Sequence, residues 1–424
     1  MVTMNPAHTE DHPVPSLEGA VKPWDALVLA YPRPGAISMP VSGVLVGRHW
    51  LADHGIDDCQ VSGQHFVVRR RGALQIEDAG SRNGTWVNGH RLAPGERVGL
   101  EDGFVVRVGS TVLIVRTGFV GSPHPSPPVY GLVAPYGLRS VAEQLESFRF
   151  IKPSTVLVEG ETGTGKELVA RGVAEVLGRG ACFVPVNVAA VPAGVFESQL
   201  FGYVKGAFSG AGTGAPGIVA SHDGGAVFFD EIGELHLDLQ PKLLRLIENR
   251  EVFPVGAHRP RPVDVVIVAA TNRDLGAMVA EGKFRQDLMA RLAAAVVELP
   301  PLRERPEDLF AIATWLAEQR GRAFQPQLVE VEAVEHLVLH AWPGNVRELA
   351  AVIDRVQALA QAPALPLWAM RRVLPSTTAH TPGVLTASHV QQVLASCGGN
   401  ESQAARMLGV SRGKLRRFRA EPQR

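Results

Sequence analysis

The sequence predicts a multidomain chain with three architectures in series: an all-β sandwich, an α/β domain with a parallel sheet covered by helices, and then helices alone. Three observations predict it. From 25 to 117, short apolar runs alternate with Gly, Asp and Asn turns, as in a β-sandwich. From 130 to 299, apolar strands alternate with longer helical stretches, the pattern of a helix-covered parallel sheet. After LPPLRERPED at 299–308 the periodicity is helical only.

Each element follows in order. Residues 1–24 are polar, Pro-bearing and without periodicity, and are expected to be a disordered arm. Within 25–118 the expected strands contain Val44–Val46, Phe66–Val68, Leu74–Ile76, Thr85–Val87, Phe104–Val106 and Val112–Val115. The stretch 119–129 contains GSPHPSPP, four prolines in eight residues, and reads as a stiff linker. In 130–299 the strands contain Val156–Val158, Val227–Phe229 and Val265–Ala269. Residues 300–372 form a helical subdomain, in which Val346, Leu349, Val352, Ile353, Val356 and Leu359 share one helical face. A second linker, 373–384, holds PSTTAHTPG, and 385–424 is helical and Arg-rich at its end.

Composition narrows the classes. The 424 residues are 46% hydrophobic and 20% charged, with 42 Lys+Arg against 42 Asp+Glu, a globular balance that excludes a wholly polybasic protein. No run approaches the roughly 18 apolar residues of a membrane span, and the N-terminus lacks the basic and apolar regions of a secretory signal. Cys59, Cys182 and Cys397 lie far apart, with neither ligand spacing nor a disulfide framework, which fits a reducing cytoplasm.

The chemistry begins at GETGTGKE, 160–167, directly after a strand and before a helix. Glycines 160, 163 and 165 let the main chain of Gly160, Glu161, Thr162, Gly163, Thr164, Gly165, Lys166 and Glu167 wrap phosphates with its N–H groups, while Lys166 reaches the β- and γ-phosphates. Glu167 stands where a Ser or Thr hydroxyl usually meets Mg²⁺. Downstream, GGAVFFDEIGE is a hydrophobic strand ending in two acids. Asp230 is expected to hold Mg²⁺ and Glu231 to polarise the attacking water, and VVIVAATN delivers Thr271 and Asn272 to the same sheet edge. ATP and Mg²⁺ are the expected cofactors.

Between these motifs, QLFGYVKGAFSGAGTGAPG (199–217) has six glycines and no core periodicity. Composition alone leaves two readings, a flexible loop with an apolar tip or a surface hairpin whose Phe208 folds back. GETGTGKE, GAFSGA, GGAVFFDEIGE, GKFRQDL…ARL and WPGNVREL, in that order, resemble the AAA+ core of sigma-54-dependent transcriptional activators. The resemblance implies an α/β P-loop ATPase with an α-helical lid. It also implies that Gly206, Ala207, Phe208, Ser209, Gly210 and Ala211 contact sigma-54 in RNA polymerase. Ser209 replaces the usual threonine and keeps the hydroxyl.

Further roles follow from the resemblance. Asn187 matches the asparagine that senses nucleotide and restrains the glutamate. Arg285 and Arg291 match the arginines reaching a neighbouring subunit's γ-phosphate, a task suited to a fixed, permanently charged fork. Met289 and Ala290 stand where the family usually has tyrosines, and Arg347 matches the lid arginine that reads nucleotide state. A finger acting in trans implies a homo-oligomer, a hexameric ring when active.

The flanks resemble two modules. VLVGRHW, VSGQHF and SRNGTWVNG look like a forkhead-associated (FHA) domain. That resemblance implies phosphothreonine held by Arg48 and Ser62, peptide backbone held by Asn83, and loops braced by His65 and Asn88. Gly63 removes one possible side-chain contact. GGNESQAARMLGVSRGKLRRFR reads as two short helices around a turn, with Asn400 and Ser411 as caps and Gly409 ending the first. Residues 401–424 hold seven Lys or Arg against Glu401 and Glu421. The pattern resembles a Fis-type helix-turn-helix, leaving Arg412, Lys414, Arg416, Arg417 and Arg419 for DNA and Leu415 and Phe418 for packing.

The expected whole is a cytoplasmic bacterial activator with no membrane partner. It binds upstream activating DNA, hydrolyses ATP in a ring and remodels the closed complex of sigma-54 RNA polymerase, under regulation by a phosphothreonine-containing protein. An AAA+ remodeller of a different target and a non-enzymatic, DNA-tethered phosphopeptide-binding scaffold remain as alternatives.

Overall fold

The computed structural model describes residues 22–190, 193–209, 211–375 and 387–416, apart from 409, 411 and 414. The expected arm up to residue 21 and most of the second linker lie outside the described residues.

The N-terminal strands form a sandwich. Its six-stranded antiparallel sheet runs Gly35–Ser38, Trp24–Tyr31, Thr111–Phe119, Val105–Val108, Thr85–Val87 and His90–Arg91 across its width. The opposing sheet runs Leu45–Val46, Phe66–Arg71, Ala73–Asp78 and Arg97–Gly99. The alternation of a strand sends Leu27, Leu29, Leu113 and Val115 into the sandwich core. Ala26, Val28, Ala30, Val112 and Ile114 point the other way, yet they are buried too. They share one hydrophobic core with Leu302, Phe310, Ala313, Leu337, Trp342 and Leu349 of the helical lid. That double burial accounts for the unbroken apolar run ALVLA, which a half-exposed strand would interrupt.

Two buried guanidinium groups fasten the seam. Arg107 Nε donates to Glu335 Oε2 at 2.7 Å, both side chains being 7% exposed, and Arg107 lies 4.3 Å from the Trp86 ring centroid. Arg116 bonds Asp102 at 3.2 Å and Glu307 at 2.5 Å. The expected linker is a strap laid on the α/β domain: Arg139 donates to Ser122 O at 2.9 Å and to His124 O at 2.7 Å.

The central parallel sheet is ordered Phe183–Asn187, Ala226–Asp230, Val266–Thr271, Thr155–Gly160, Val296–Leu299. Val156, Val158, Phe228 and Val268 face helices Arg139–Ile151 and Lys166–Val176. Leu157, Val227, Phe229 and Ile267 pack on the other side with Leu243, Leu275 and Leu288. Helices Leu309–Gln319, Val331–Leu339, Asn345–Ala360 and Leu367–Val373 make the lid. Within Asn345–Ala360 the expected face is buried at Leu349, Val352, Ile353 and Val356, whereas Leu359 is exposed. The helix ends at Ala360, with Gln361 in a left-handed conformation, and its last turn runs out past the core.

At the C-terminus, helices Ala387–Ser396 and Glu401–Met407 bury Val390, Val393, Ala404, Ala405 and Leu408 together with Leu415. Asn400 caps the second helix, its Oδ1 accepting from Gln403 N at 3.0 Å. Gly409, Ser411 and Phe418 lie outside the described residues. No helix among the described residues is long and apolar enough to cross a membrane.

Candidate active site and partner surfaces

The phosphate loop joins the strand Thr155–Gly160 to the helix Lys166–Val176, at the carboxyl edge of the parallel sheet. Lys166 Nζ donates to Gly160 O at 3.1 Å and Glu161 O at 3.2 Å. Burial pushes its ammonium below the usual lysine range, with Glu231 and Asp230 acting against that shift and the Arg347 charge adding to it. These four expected residues therefore share one electrostatic neighbourhood. Glu231 follows its strand with φ +56, a left-handed conformation uncommon for a residue with a Cβ.

Three further expected residues lie at the carboxyl ends of neighbouring strands. Asn272 Nδ2 donates to Thr162 Oγ1 at 2.9 Å, and Thr271 Oγ1 is buried and accepts from Arg273 N at 3.0 Å. Asn187 stands in register with Asp230 on the neighbouring strand, its Oδ1 accepting from Ala189 N. Glu167 is turned outward to Arg171, an i,i+4 pair at 3.0 Å. Arg285 pairs with Asp287 and Arg291 with Glu248, and all four are exposed.

The lid is seated on the loop. Gly163 has φ +81, and a Cβ there would lie 2.4 Å from Gly344 O, so only glycine permits this approach. Val346 N donates to Gly163 O at 3.0 Å. Sequence reasoning missed a clasp below it. Arg303 makes two bonds to Glu161, at 2.8 and 2.7 Å, and the buried Asn345 donates to Glu161 Oε2 at 3.2 Å and Thr162 O at 3.1 Å. Burial works against an ionised Glu161, but the Arg303 bonds and charge outweigh it and hold the carboxyl below its ordinary range. Its signal was the arginine pair in LPPLRERPED, which read as punctuation.

The glycine-rich loop is a hairpin. Gly202–Tyr203 pairs with Ala215–Pro216, and at the tip Gly206 N donates to Ala211 O. Phe208 is 46% exposed with its ring centroid 4.9 Å from that of Tyr203, so the tip leans on its own stem without being buried. Lys205, Gly206 and Ser209 are exposed, Ala207 is half-buried, Ala211 is buried, and Gly210 lies outside the described residues.

At one end of the sandwich, the expected phosphate ligands meet. Arg48 opens the short helix Arg48–Asp53, and its guanidinium donates to Val61 O at 3.0 Å and Cys59 O at 2.8 Å. Ser62 Oγ accepts from Arg82 N at 3.0 Å, and Asn83 Nδ2 donates to Gln60 O at 2.7 Å. His65 is buried between Ser62 N and Gly84 O, and burial holds its imidazole below the usual range. Asn88 Oδ1 accepts from Val105 N. A Cβ on Gly47 would sit 1.8 Å from Gly63 O, which requires glycine where the loops close. Arg82, exposed beside Ser62, is a cation the sequence reading passed over.

Two of the expected DNA contacts lie against the α/β domain. Arg416 bonds Glu298 at 2.9 Å, Glu401 at 3.0 Å and Glu159 at 3.4 Å, and Arg412 pairs with Asp274 at 3.6 Å. A cavity of about 1040 Å³ opens between them, lined by Glu159, Asn272 and Arg303 on one side and Gln403 and Arg412 on the other. Lys414, Arg417 and Arg419 lie outside the described residues.

Comparison with known proteins matches every module. Residues 136–298 match the sigma-54 interaction domain, 303–384 the AAA+ ATPase lid domain, 44–109 the FHA domain and 387–417 the bacterial regulatory protein, Fis family. Regulatory protein AtoC of Escherichia coli K12 is 38% identical over 284 residues, covering 62% of this chain and 62% of AtoC. Transcriptional regulatory protein FlbD of Caulobacter vibrioides is 36% identical over 296 residues, 62% of this chain and 65% of FlbD. The activator HyfR of E. coli K12 is 46% identical over 217 residues, 50% of this chain and 32% of HyfR. The chain thus spans between 32% and 65% of the length of these relatives. The crystal structure of NtrX from Brucella abortus in complex with ATP superposes with TM-score 0.51 and 27% identity, covering 68% of each chain.

Proposed function

We propose that the chain is a sigma-54-dependent transcriptional activator, which hydrolyses ATP to remodel sigma-54 RNA polymerase at promoters it reaches by binding upstream DNA. The observation that carries this reading is the gathering of Lys166, Asp230 and Glu231 at one sheet edge with Arg347 of the lid beside them, in an α/β domain that also carries the Phe208 hairpin. Main-chain N–H groups of 160–167 and Lys166 bind the phosphates, Glu231 orients the attacking water, and Asn187 and Asn272 register the nucleotide. The ATP complex of the similar NtrX supports the nucleotide assignment.

Mg²⁺ fits the donor set. Among the described residues no group of three or more His, Cys, Asp or Glu forms a closed metal cage. A magnesium ion is ordinarily held by one or two carboxylates together with phosphate oxygens, which is what Asp230 beside the phosphate loop offers. When bound, the ion would neutralise charge on the phosphates.

The outward Arg285 and Arg291 suit a trans role in a ring, a hexamer by family likeness, once their surface ion pairs exchange for a neighbour's phosphate. The sandwich reads phosphothreonine through Arg48, Ser62 and Asn83, and the helices at 385–424 bind DNA through Arg412, Lys414, Arg416, Arg417 and Arg419. All of this takes place in the bacterial cytoplasm.

The deciding experiment is open-complex formation on a sigma-54 promoter with purified components. Phe208→Ala should abolish opening while ATP turnover stays within about threefold. Equal loss of both would point to a remodeller of another target, and no Glu231-dependent hydrolysis in the parent chain would point to a scaffold.

A further inference from the structure

The seam between sandwich and lid passes close behind the phosphate loop. Arg116, 14% exposed on the sandwich strand Thr111–Phe119, donates to Glu304 O at 2.9 Å and to Glu307 Oε2 at 2.5 Å. Both acceptors belong to the segment 302–308, whose other side chains grip the ATPase. Arg303 holds Glu161 as described, Arg305 Nη2 donates to Thr164 O at 3.4 Å, and Asp308 accepts from Tyr136 N at 3.0 Å and Gly137 N at 2.9 Å. Arg305 is 2% exposed, and its Nε has no hydrogen-bond partner among the described residues. Burial holds its guanidinium below the usual arginine range, and the charges of Asp308 and Glu307 act against that shift. Glu307 is also the 2.5 Å partner of Arg116, so the charge of one carboxylate acts on a sandwich cation and on a cation bonded to the phosphate loop.

We propose that Arg116 is a positioning residue of the ATPase: a sandwich side chain that sets the phosphate loop through Glu307, Glu304 and Arg305. The proposal rests on the ATP-hydrolysis reading and gives the FHA module a part in nucleotide handling with no phosphopeptide bound. Removing the Arg116 guanidinium leaves Glu307 facing Arg305 alone and frees the Glu304 carbonyl. A buried pair left with an uncompensated member rearranges, and the movable member is Arg305, with its spare Nε. Turning toward Glu307, it would release Thr164 O and loosen the loop. The loop's N–H groups hold phosphates in ground and transition states alike, so the loss appears in KM and not in kcat.

The test uses the full chain and two readouts, steady-state ATP hydrolysis and binding of a fluorescent non-hydrolysable ATP analogue. Arg116→Ala should raise KM and the analogue's Kd about tenfold, with kcat within about threefold, and adding Glu307→Gln to it should restore both, since the neutral amide no longer draws Arg305 off Thr164 O. Arg116→Lys should recover part of the affinity, since an ammonium keeps the charge beside Glu307 without the fork that reaches Glu304 O as well. Arg107→Ala loosens the same seam at Glu335, away from the loop, and should leave KM unchanged. Parent-like KM in Arg116→Ala, or an equal rise in Arg107→Ala, overturns the positioning role. If Arg116→Ala does not fold, Arg116→Gln takes its place under the same criterion. A parent chain that neither binds the analogue nor hydrolyses ATP removes the ATPase reading itself, and with it anything to position.

Discussion

Arg107 in the N-terminal sandwich donates to Glu335 in the lid across 2.7 Å, although 228 positions of sequence separate them. The pair is buried, and Arg107 also lies over Trp86. Removing one member strands the other in an apolar seam, so Arg107→Ala should cost about 3–5 kcal/mol, read as a lower urea midpoint. Replacing both with apolar residues, Arg107→Met with Glu335→Leu, should restore most of the loss. A double variant as unstable as the single one would contradict this account.

Glu231→Gln should retain ATP binding and lose at least about a hundredfold in hydrolysis, because it keeps the shape but cannot polarise water. Lys166→Ala should lose binding as well. Nucleotide binding and phosphate release measured on the same preparations separate the two effects.

Arg48→Ala should weaken binding of a phosphothreonine peptide about tenfold or more, the worth of a charge-assisted hydrogen bond. It also frees the Val61 and Cys59 carbonyls. Titration calorimetry against the unphosphorylated peptide supplies the control, and equal affinity of both peptides for the parent chain would retire the phosphate reading.

Burial, and then the nearby Glu307, push Asp308 up to about 7, against the pull of Arg305 and two main-chain N–H groups. With its folded value above its unfolded one, the folded chain holds the extra proton between about pH 4 and pH 7. This contribution to stability is full below that window and is lost as pH rises through it. Asp308→Asn cannot titrate. The stability difference, parent minus variant, should therefore fall from pH 5 to pH 8 in urea titrations, and a flat difference would refute the assignment.

Glu298→Gln combined with Glu159→Gln should tighten duplex DNA binding about two- to fivefold at low salt, the scale of half-exposed ion pairs. Both carboxylates hold Arg416, which the DNA phosphates would otherwise claim. Fluorescence anisotropy on the full chain reads this directly, and unchanged affinity would mean that Arg416 is released at no cost.

The nucleotide site was legible because its chemistry is local: a strand, a glycine-rich turn and a helix fix where Lys166 sits, and a hydrophobic strand ending in Asp230 and Glu231 needs no distant information. The sandwich strands around Phe66 and Leu74 were legible by alternation. The strand Trp24–Tyr31 was not, because burial on both faces erases that alternation, and its second partner, the lid, lies hundreds of residues away. Arg303, Arg305 and Asp308 were hidden for a related reason. Prolines at 300, 301 and 306 mark a break in periodicity, whereas the three-dimensional role of these charges depends on Glu161, Thr164 and Gly137.

The shared oil between Val28, Ile114 and Phe310 also constrains heredity and engineering. A sandwich of this type cannot be grafted whole onto another ATPase, since excision would leave a greasy scar on both donor and recipient. Either surface can drift only as fast as its counterpart follows, and a chimera joined at the proline strap would inherit two orphaned halves of one interior.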